Sequence, residues 1–262
     1  MSTMMPITPE HHGAKRWLRP TNYAFAAKDS VAPLIASELA QAALALPIGF
    51  ANQGEDFVPV ALVGLTPDQS LFVSADSLWQ GHFVPSAYRF HPFALLPASE
   101  GREVLCIDEE SGLVTDGPEG EPFFSDDGEP SKFVADIFAS LLEIGTQRLA
   151  TKSTCALLKA HGLIEPWPVT IQGSSGERQV DGLFCINEDA LDALSDAAFL
   201  ELRASRGLTI AFCQLLSMQH LPALKQMAVV RAAAAMPTVR PSTAPGLEVL
   251  DHDRPLDFSR FR

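Results

Sequence analysis

The feature that most restricts the fold is the uneven distribution of short apolar runs and long helical patterns along the chain. In the first half, apolar runs at residues 48–50, 58–65 and 71–74 are separated by the turn-forming segments 52–54 and 66–68. Such an arrangement is typical of antiparallel strands joined in a meander. Helical periodicity dominates the second half. The sequence therefore predicts an α+β fold, with mainly antiparallel short strands in the first half, helices packed on the sheet and a helix-rich second half.

Two further elements are predicted in the first half. A helix is expected to begin at Asp29 or Ser30, with Pro33 in its first turn and Pro47 after its end, because apolar residues recur at helical spacing between them. A hairpin is expected to join residues 104–107 to residues 113–115 around an acidic, Gly-containing turn.

Capping and turn residues divide the second half. Ser131 is a predicted N-cap of a long amphipathic helix that runs to about residue 158, and Asn187 of a short one. The segment Gly173-Ser174-Ser175-Gly176 predicts a hairpin turn. Gly207 is expected to end a helix, and Pro222 to break or kink the helical pattern that follows it.

Three regions are expected. Residues 1–28 form an N-terminal arm, residues 29–236 form the α+β domain, and residues 237–262 form a flexible C-terminal tail rich in Pro, Ser and charge. The arm holds three aromatic residues that we expect to lie against the core: Trp17, Tyr23 and Phe25.

Charge and cysteine usage restrict the partners and the compartment. The formal net charge is −13, which argues against nucleic acid or an anionic membrane as the main partner, because both attract dense Lys/Arg faces. The four cysteines form no C-x-x-C pair, which favours buried free thiols in a reducing compartment. The sequence contains no apolar run that predicts a signal peptide or a membrane span. These observations predict a cytoplasmic protein.

Catalytic and metal-binding motifs are missing from the sequence. It contains no Gly-rich phosphate loop, no G-x-S-x-G elbow and no H-x-[DE] or H-x-x-x-H spacing. The acidic segment 108–129 lacks the alternating oxygen ligands of an EF-hand and is interpreted as solvated turns. No metal and no cofactor are therefore expected.

The segment 79–93 is the most unusual stretch, because it interleaves aromatic residues with two prolines and the single cation Arg89. Two interpretations are open: the rings fill the core, with Arg89 paired to an acid such as Glu38, or they line a ligand pocket or peptide groove. In the second case the candidate ligand-binding residues are Glu38, Trp79, Tyr88, Arg89 and Phe93.

Five segments of the chain, in order, resemble the bacterial SapC family. They are residues 44–50 (LALPIGF), 59–65 (PVALVGL), 83–93 (FVPSAYRFHPF), 124–131 (FSDDGEPS) and 181–186 (DGLFCI). The segment 83–93 and Trp79 before it are similar to that family's tryptophan and R-x-Y-P-F signature. His82 and His91 stand where the family usually has tyrosine, which argues against metal ligation by either.

The resemblance implies a family context but no catalytic residues. SapC-like proteins are associated with surface-layer gene clusters, and with genes for halogenase-like or cupin-like enzymes that are possible partners. It is not a resemblance to the membrane-spanning permease of the same name. It favours a non-enzymatic accessory protein that binds a partner protein or a small ligand. The alternatives are an enzyme whose site is assembled around residues 79–93 and a surface-layer component.

The last residues of the chain provide a candidate partner-binding segment. Two aromatic residues alternate with two arginines, a combination suited to an acidic surface on another protein. These residues are Phe258, Arg260, Phe261 and Arg262.

Overall fold

The computed structural model describes residues 3–98, 101–173 and 176–235. The tail prediction for residues 237–262 and the four candidate residues within that tail lie outside these ranges. The strands are β1 (Met4–Pro6), β2 (Arg16–Trp17), β3 (Val31–Pro33), β4 (Ile48–Gln53), β5 (Asp56–Leu62), β6 (Phe93–Pro97), β7 (Glu103–Asp108), β8 (Val114–Thr115), β9 (Glu121–Pro122), β10 (Ile164–Pro166), β11 (Val169–Gly173), β12 (Gly176–Val180) and β13 (Leu183–Ile186). The helices are α1 (Pro9–His12), α2 (Leu39–Ala42), α3 (Ser86–Arg89), α4 (Lys132–Ala160), α5 (Glu188–Asp192), α6 (Asp196–Ala204), α7 (Gly207–Ser217) and α8 (Leu221–Ala235).

A five-stranded antiparallel sheet with the order β10-β13-β4-β5-β3 forms the centre of the fold. Its hairpin, β4 and β5, pairs Ile48 with Ala61 at one end and Gln53 with Asp56 at the other, as the turn residues predict. The expected third strand at residues 71–74 is wrong, because this buried segment forms only an isolated bridge between Val73 and Trp79. The predicted α+β class is confirmed.

Strand β3 corrects the prediction of a helix from Asp29 or Ser30. Residues Val31–Pro33 pair with β5, with Ala32 opposite Ala61, and the helix α2 begins only at Leu39. The apolar residues recur at helical spacing, but the residue before a proline is disfavoured in the α region. Ala32 precedes Pro33, so the extended pairing with β5 replaces the first turn of the predicted helix.

The first 28 residues contain more regular structure than the expected arm. Strand β1 pairs with β7, and β2 lies between β8 and β9 in a small sheet. The predicted hairpin of residues 104–107 with 113–115 is therefore wrong, because β7 pairs with β1 and β6 while β8 pairs with β2. Trp17 in β2 is buried, so this segment forms part of a core.

The second half follows its capping signals closely. The Ser131 side chain accepts a hydrogen bond from the Val134 amide at the start of α4, and Asn187 caps α5 through the Ala190 amide. A 3-10 turn separates α7 from α8 just before Pro222, as predicted. The prediction for Gly207 is wrong: Arg206 adopts the left-handed conformation with φ 62°, and Gly207 opens α7.

Two apolar clusters are bridged by the long helix α4. The large cluster surrounds the five-stranded sheet and includes Cys155 and Leu158 from the end of α4. The small cluster surrounds Phe123 and Ile107 and includes Ile137 from the beginning of α4. Helix α4 thus fixes the position of one cluster relative to the other, and the segments that run between the clusters are placed to line a cleft.

Candidate functional site

Glu38 is a buried carboxylate that joins α2 to α3. It precedes α2, and its side chain is 6% exposed. Its oxygens accept hydrogen bonds from the Ile35 amide at 3.1 Å, the Ser86 amide at 2.9 Å and the Ser86 hydroxyl at 2.8 Å. An Arg89 Nη lies 3.5 Å from Glu38 Oε2, which is the ion pair considered from the sequence. These contacts meet most of the acceptor capacity of the carboxylate, so Glu38 acts as a structural anchor.

Trp79 packs into the aromatic part of the large cluster. Its indole N–H donates a hydrogen bond to the Phe83 carbonyl at 2.9 Å, and its ring stacks on Phe72 with centroids 5.4 Å apart. Tyr23 and Tyr88 lie against the same indole, each with a centroid separation of 5.7 Å. The core interpretation of the aromatic segment therefore describes Trp79 well.

Tyr88 is buried, and its hydroxyl has no hydrogen-bond partner among the residues that the structure describes. The Asp29 carboxylate lies beside this hydroxyl and interacts with it, but the pair lacks the geometry of an ordinary hydrogen bond. Burial, together with this neighbouring carboxylate, raises the pKa of Tyr88 far above its ordinary value. Burial also raises the pKa of Asp29. An unpaired buried hydroxyl costs free energy, so Tyr88 retains an unused capacity to bind a ligand.

An open aromatic cleft with a volume of about 320 Å³ lies where the two apolar clusters meet. We call it the aromatic cleft. Its lining residues come from three parts of the chain and are mostly aromatic. They are Trp17, Arg19, Pro20, Asn22, Tyr23, Phe25, Tyr88, Arg89, Phe90, His91, Phe93, Phe133 and Ile137. A volume of this size and a largely apolar lining with a few polar groups are typical of small-molecule sites.

The walls of the aromatic cleft are held by ring contacts. Trp17 meets Phe93 edge-on at 5.0 Å and lies 4.8 Å from Phe133 at the start of α4. Phe25, which also lines the cleft, stacks on His91 with centroids 3.8 Å apart and an interplanar angle of 11°. Burial lowers the pKa of His91, so its ring is neutral at pH 7. The aromatic lining is therefore held in place by its own ring contacts, and Phe25 with His91 forms a parallel stack within it.

Three of the five candidate ligand-binding residues line this cleft: Tyr88, Arg89 and Phe93. Glu38 and Trp79 do not line it, although Glu38 forms an ion pair with the lining residue Arg89. The sequence interpretation missed the contributions of Trp17, Arg19 and Phe133, which come from β2, from the residues after it, and from α4. The aromatic residues of the N-terminal segment were a usable signal, but α4 carries no local mark of its role.

Within the described ranges, no group of three or more His, Cys, Asp or Glu side chains is placed to hold a metal ion. None of the described helices is long and apolar enough to cross a membrane.

The fold and the cleft define an α+β protein with small antiparallel sheets, a bridging helix and a preformed aromatic cleft between two apolar clusters. The chain belongs to the SapC family, whose model matches residues 7–224. The match includes every residue that lines the aromatic cleft and begins within the N-terminal segment. No curated protein and no solved structure matches the chain.

Proposed function

We propose that this SapC-family chain is a non-enzymatic binding protein that holds a small ligand in the aromatic cleft. The observation that carries the proposal is the lining: aromatic residues from three segments of the chain share one cleft with the buried Tyr88 and the half-exposed Arg89. Such a site can bind and orient a ligand. The buried carboxylate Glu38, which could have acted in catalysis, is instead engaged by backbone and side-chain donors.

The first test is retention of a ligand from extract. We expect the full chain, incubated with extract of a bacterium that encodes it and then purified, to release a small molecule detected by mass spectrometry. Pro20→Trp should abolish retention, because Pro20 is an exposed lining residue and an indole there would fill the cleft. The matched control is Ala197→Trp on the exposed face of α6. Equal retention by Pro20→Trp, or none by the unmodified chain, would contradict the proposal.

The proposal includes a protein partner that binds Phe258, Arg260, Phe261 and Arg262. Aromatic residues and arginine are enriched among the residues that dominate binding energy at interfaces, which supports this assignment. The family resemblance suggests a halogenase-like or cupin-like enzyme as the partner. Deletion of residues 237–262 should remove the co-purifying protein and leave the small ligand bound. A partner that still co-purifies with the truncated chain would refute this role.

The proposed compartment is the cytoplasm. All four cysteines, Cys106, Cys155, Cys185 and Cys213, are free. Burial raises the pKa of Cys155 to about 12 and that of Cys185 to about 11, so both thiols remain protonated and unreactive at neutral pH. Buried free thiols support a reducing environment.

A further inference from the structure

The charges in the aromatic cleft are of one sign. Its lining includes two guanidinium groups, Arg19 and Arg89, and no Asp or Glu. The third basic residue of the lining, His91, is neutral at pH 7 because burial lowers its pKa. Each arginine has a carboxylate partner outside the lining, Glu121 for Arg19 and Glu38 for Arg89, so the cleft itself presents only the two cations to a ligand. Such a lining favours an anionic group.

Both guanidinium groups keep N–H donors for a ligand, and Arg89 is held in place by the 3.0 Å hydrogen bond from its Nε to the Val84 carbonyl. Arg89 lies 3.5 Å from Glu38, and Arg19 lies 3.4 Å from Glu121, and both separations exceed those of strong charge-assisted hydrogen bonds. The Arg89 side chain is 46% exposed and that of Arg19 is 66% exposed. Glu38 keeps three other hydrogen bonds, so the Nη groups of Arg89 can bind a ligand without leaving that carboxylate unpaired.

The Tyr88 hydroxyl provides an independent indication of a ligand. Tyr88 is 6% exposed, lines the cleft, and its hydroxyl lacks a hydrogen-bond partner among the described residues. The Asp29 carboxylate lies beside this hydroxyl without the geometry of an ordinary hydrogen bond. A ligand oxygen at this position would accept the hydrogen bond that the protein leaves unmade.

We infer that the aromatic cleft binds a planar aromatic carboxylate, an assignment that rests on the proposed function. The ring of the ligand lies in the cleft against the stacked pair of Phe25 and His91. The carboxylate is held by Arg89 at the cleft edge, with Arg19 nearby and Tyr88 as a hydrogen-bond donor. A cage for a quaternary ammonium ligand also uses aromatic walls, but two guanidinium groups in the lining repel such a cation.

Three probes that share the naphthalene ring and differ in charge test this ligand class: 2-naphthoate, 2-naphthamide and 2-naphthylmethylammonium, each titrated into the full chain by calorimetry. We expect naphthoate to bind about tenfold more tightly than the amide, and the ammonium to bind most weakly. Arg89→Met should weaken naphthoate binding about tenfold and leave amide binding unchanged, because it removes the charge and keeps a long apolar side chain. Tyr88→Phe should weaken both by about three- to tenfold.

The control is Arg203→Met, which removes an exposed arginine from α6, outside the cleft, and should change no affinity. If Arg89→Met unfolds, Arg19→Met is the substitute, since both members of its ion pair are exposed. Equal binding of all three probes, or equal loss with Arg203→Met, overturns the assignment.

Absence of binding by every probe at about 1 mM also overturns it. The proposed function fails separately, when Pro20→Trp retains the same molecule from extract as the unmodified chain. A molecule that is retained, is lost in Pro20→Trp and carries no carboxylate would leave the cleft as the binding site and refute only the ligand class.

Discussion

Replacing Glu38 by alanine should lower the free energy of unfolding by about 3–5 kcal/mol, because the change removes a buried hydrogen-bonded carboxylate and leaves its donors unpaired. The Ile35 amide, the Ser86 amide and the Ser86 hydroxyl would all lose their acceptor at a buried position. The exposed Arg89 contributes little to this loss. Chemical denaturation of the purified chain, followed by circular dichroism, measures the change.

Two matched variants separate the sources of this effect. Arg89→Met should cost at most about 1 kcal/mol, because the guanidinium is half exposed and its ion pair is screened by solvent. The loss of unfolding free energy with Glu38→Gln should lie between those of Glu38→Ala and Arg89→Met, because the glutamine amide keeps one acceptor oxygen for the three donors. A loss with Arg89→Met as large as that with Glu38→Ala would show that the ion pair, and not the buried donors, holds α2 to α3. It would also make Arg89 unavailable to a ligand.

The ion pair between Glu38 and Arg89 shows what residue types can predict even when the two segments are distant in the sequence. A cation within an aromatic segment and an acid within an apolar one both need a partner when they approach the core. Capping residues are similarly informative, since Ser131 and Asn187 each satisfy an amide at the start of a helix. The β4–β5 hairpin is predictable because its strands are adjacent in sequence and joined by turn residues.

Pairings between distant segments explain most of the errors. Strand β1 pairs with β7 about a hundred residues away, and β2 lies between two short strands that are equally remote in sequence. Strands of two or three residues are too short to show an alternation of apolar and polar residues, so only tertiary contacts define them. At β3 the helical spacing was misleading, although Pro33 was a local sign against the helix.

Only the part of the aromatic cleft that comes from the segment 79–93 was predictable, because the rest depends on contacts between distant segments. The segment 79–93 stands out in composition and supplies Tyr88, Arg89 and Phe93. The opposite wall is assembled by the tertiary fold, which brings β2 and the beginning of α4 against that segment. Composition indicates that aromatic residues cluster along the chain, but it does not show which of them face a cleft and which, like Trp79, fill the core.

The second large effect is expected at Gly64, which follows β5 within the family-like segment 59–65. A Cβ atom there would lie 2.0 Å from the Gln69 carbonyl oxygen and 3.1 Å from the Ser30 Cα. Both obstacles are backbone atoms, so no side chain can move to make room. The Gly64 amide also donates a 2.8 Å hydrogen bond to the Ser30 carbonyl, which ties the chain in place.

Gly64→Ala should therefore lower the free energy of unfolding by about 3 kcal/mol or more, at or beyond the upper end of ordinary overpacking. Gly145→Ala is the matched control, because it makes the same chemical change within α4, where a Cβ meets no atom within 4 Å. It should raise stability by about 0.5–1 kcal/mol, since alanine is the better helix former. Thermal and urea unfolding of both variants and of the unmodified chain measure these changes in the free energy of unfolding. Equal stability of the two would mean that the backbone at Ser30 and Gln69 moves readily to accept the Cβ atom, which would contradict the prediction.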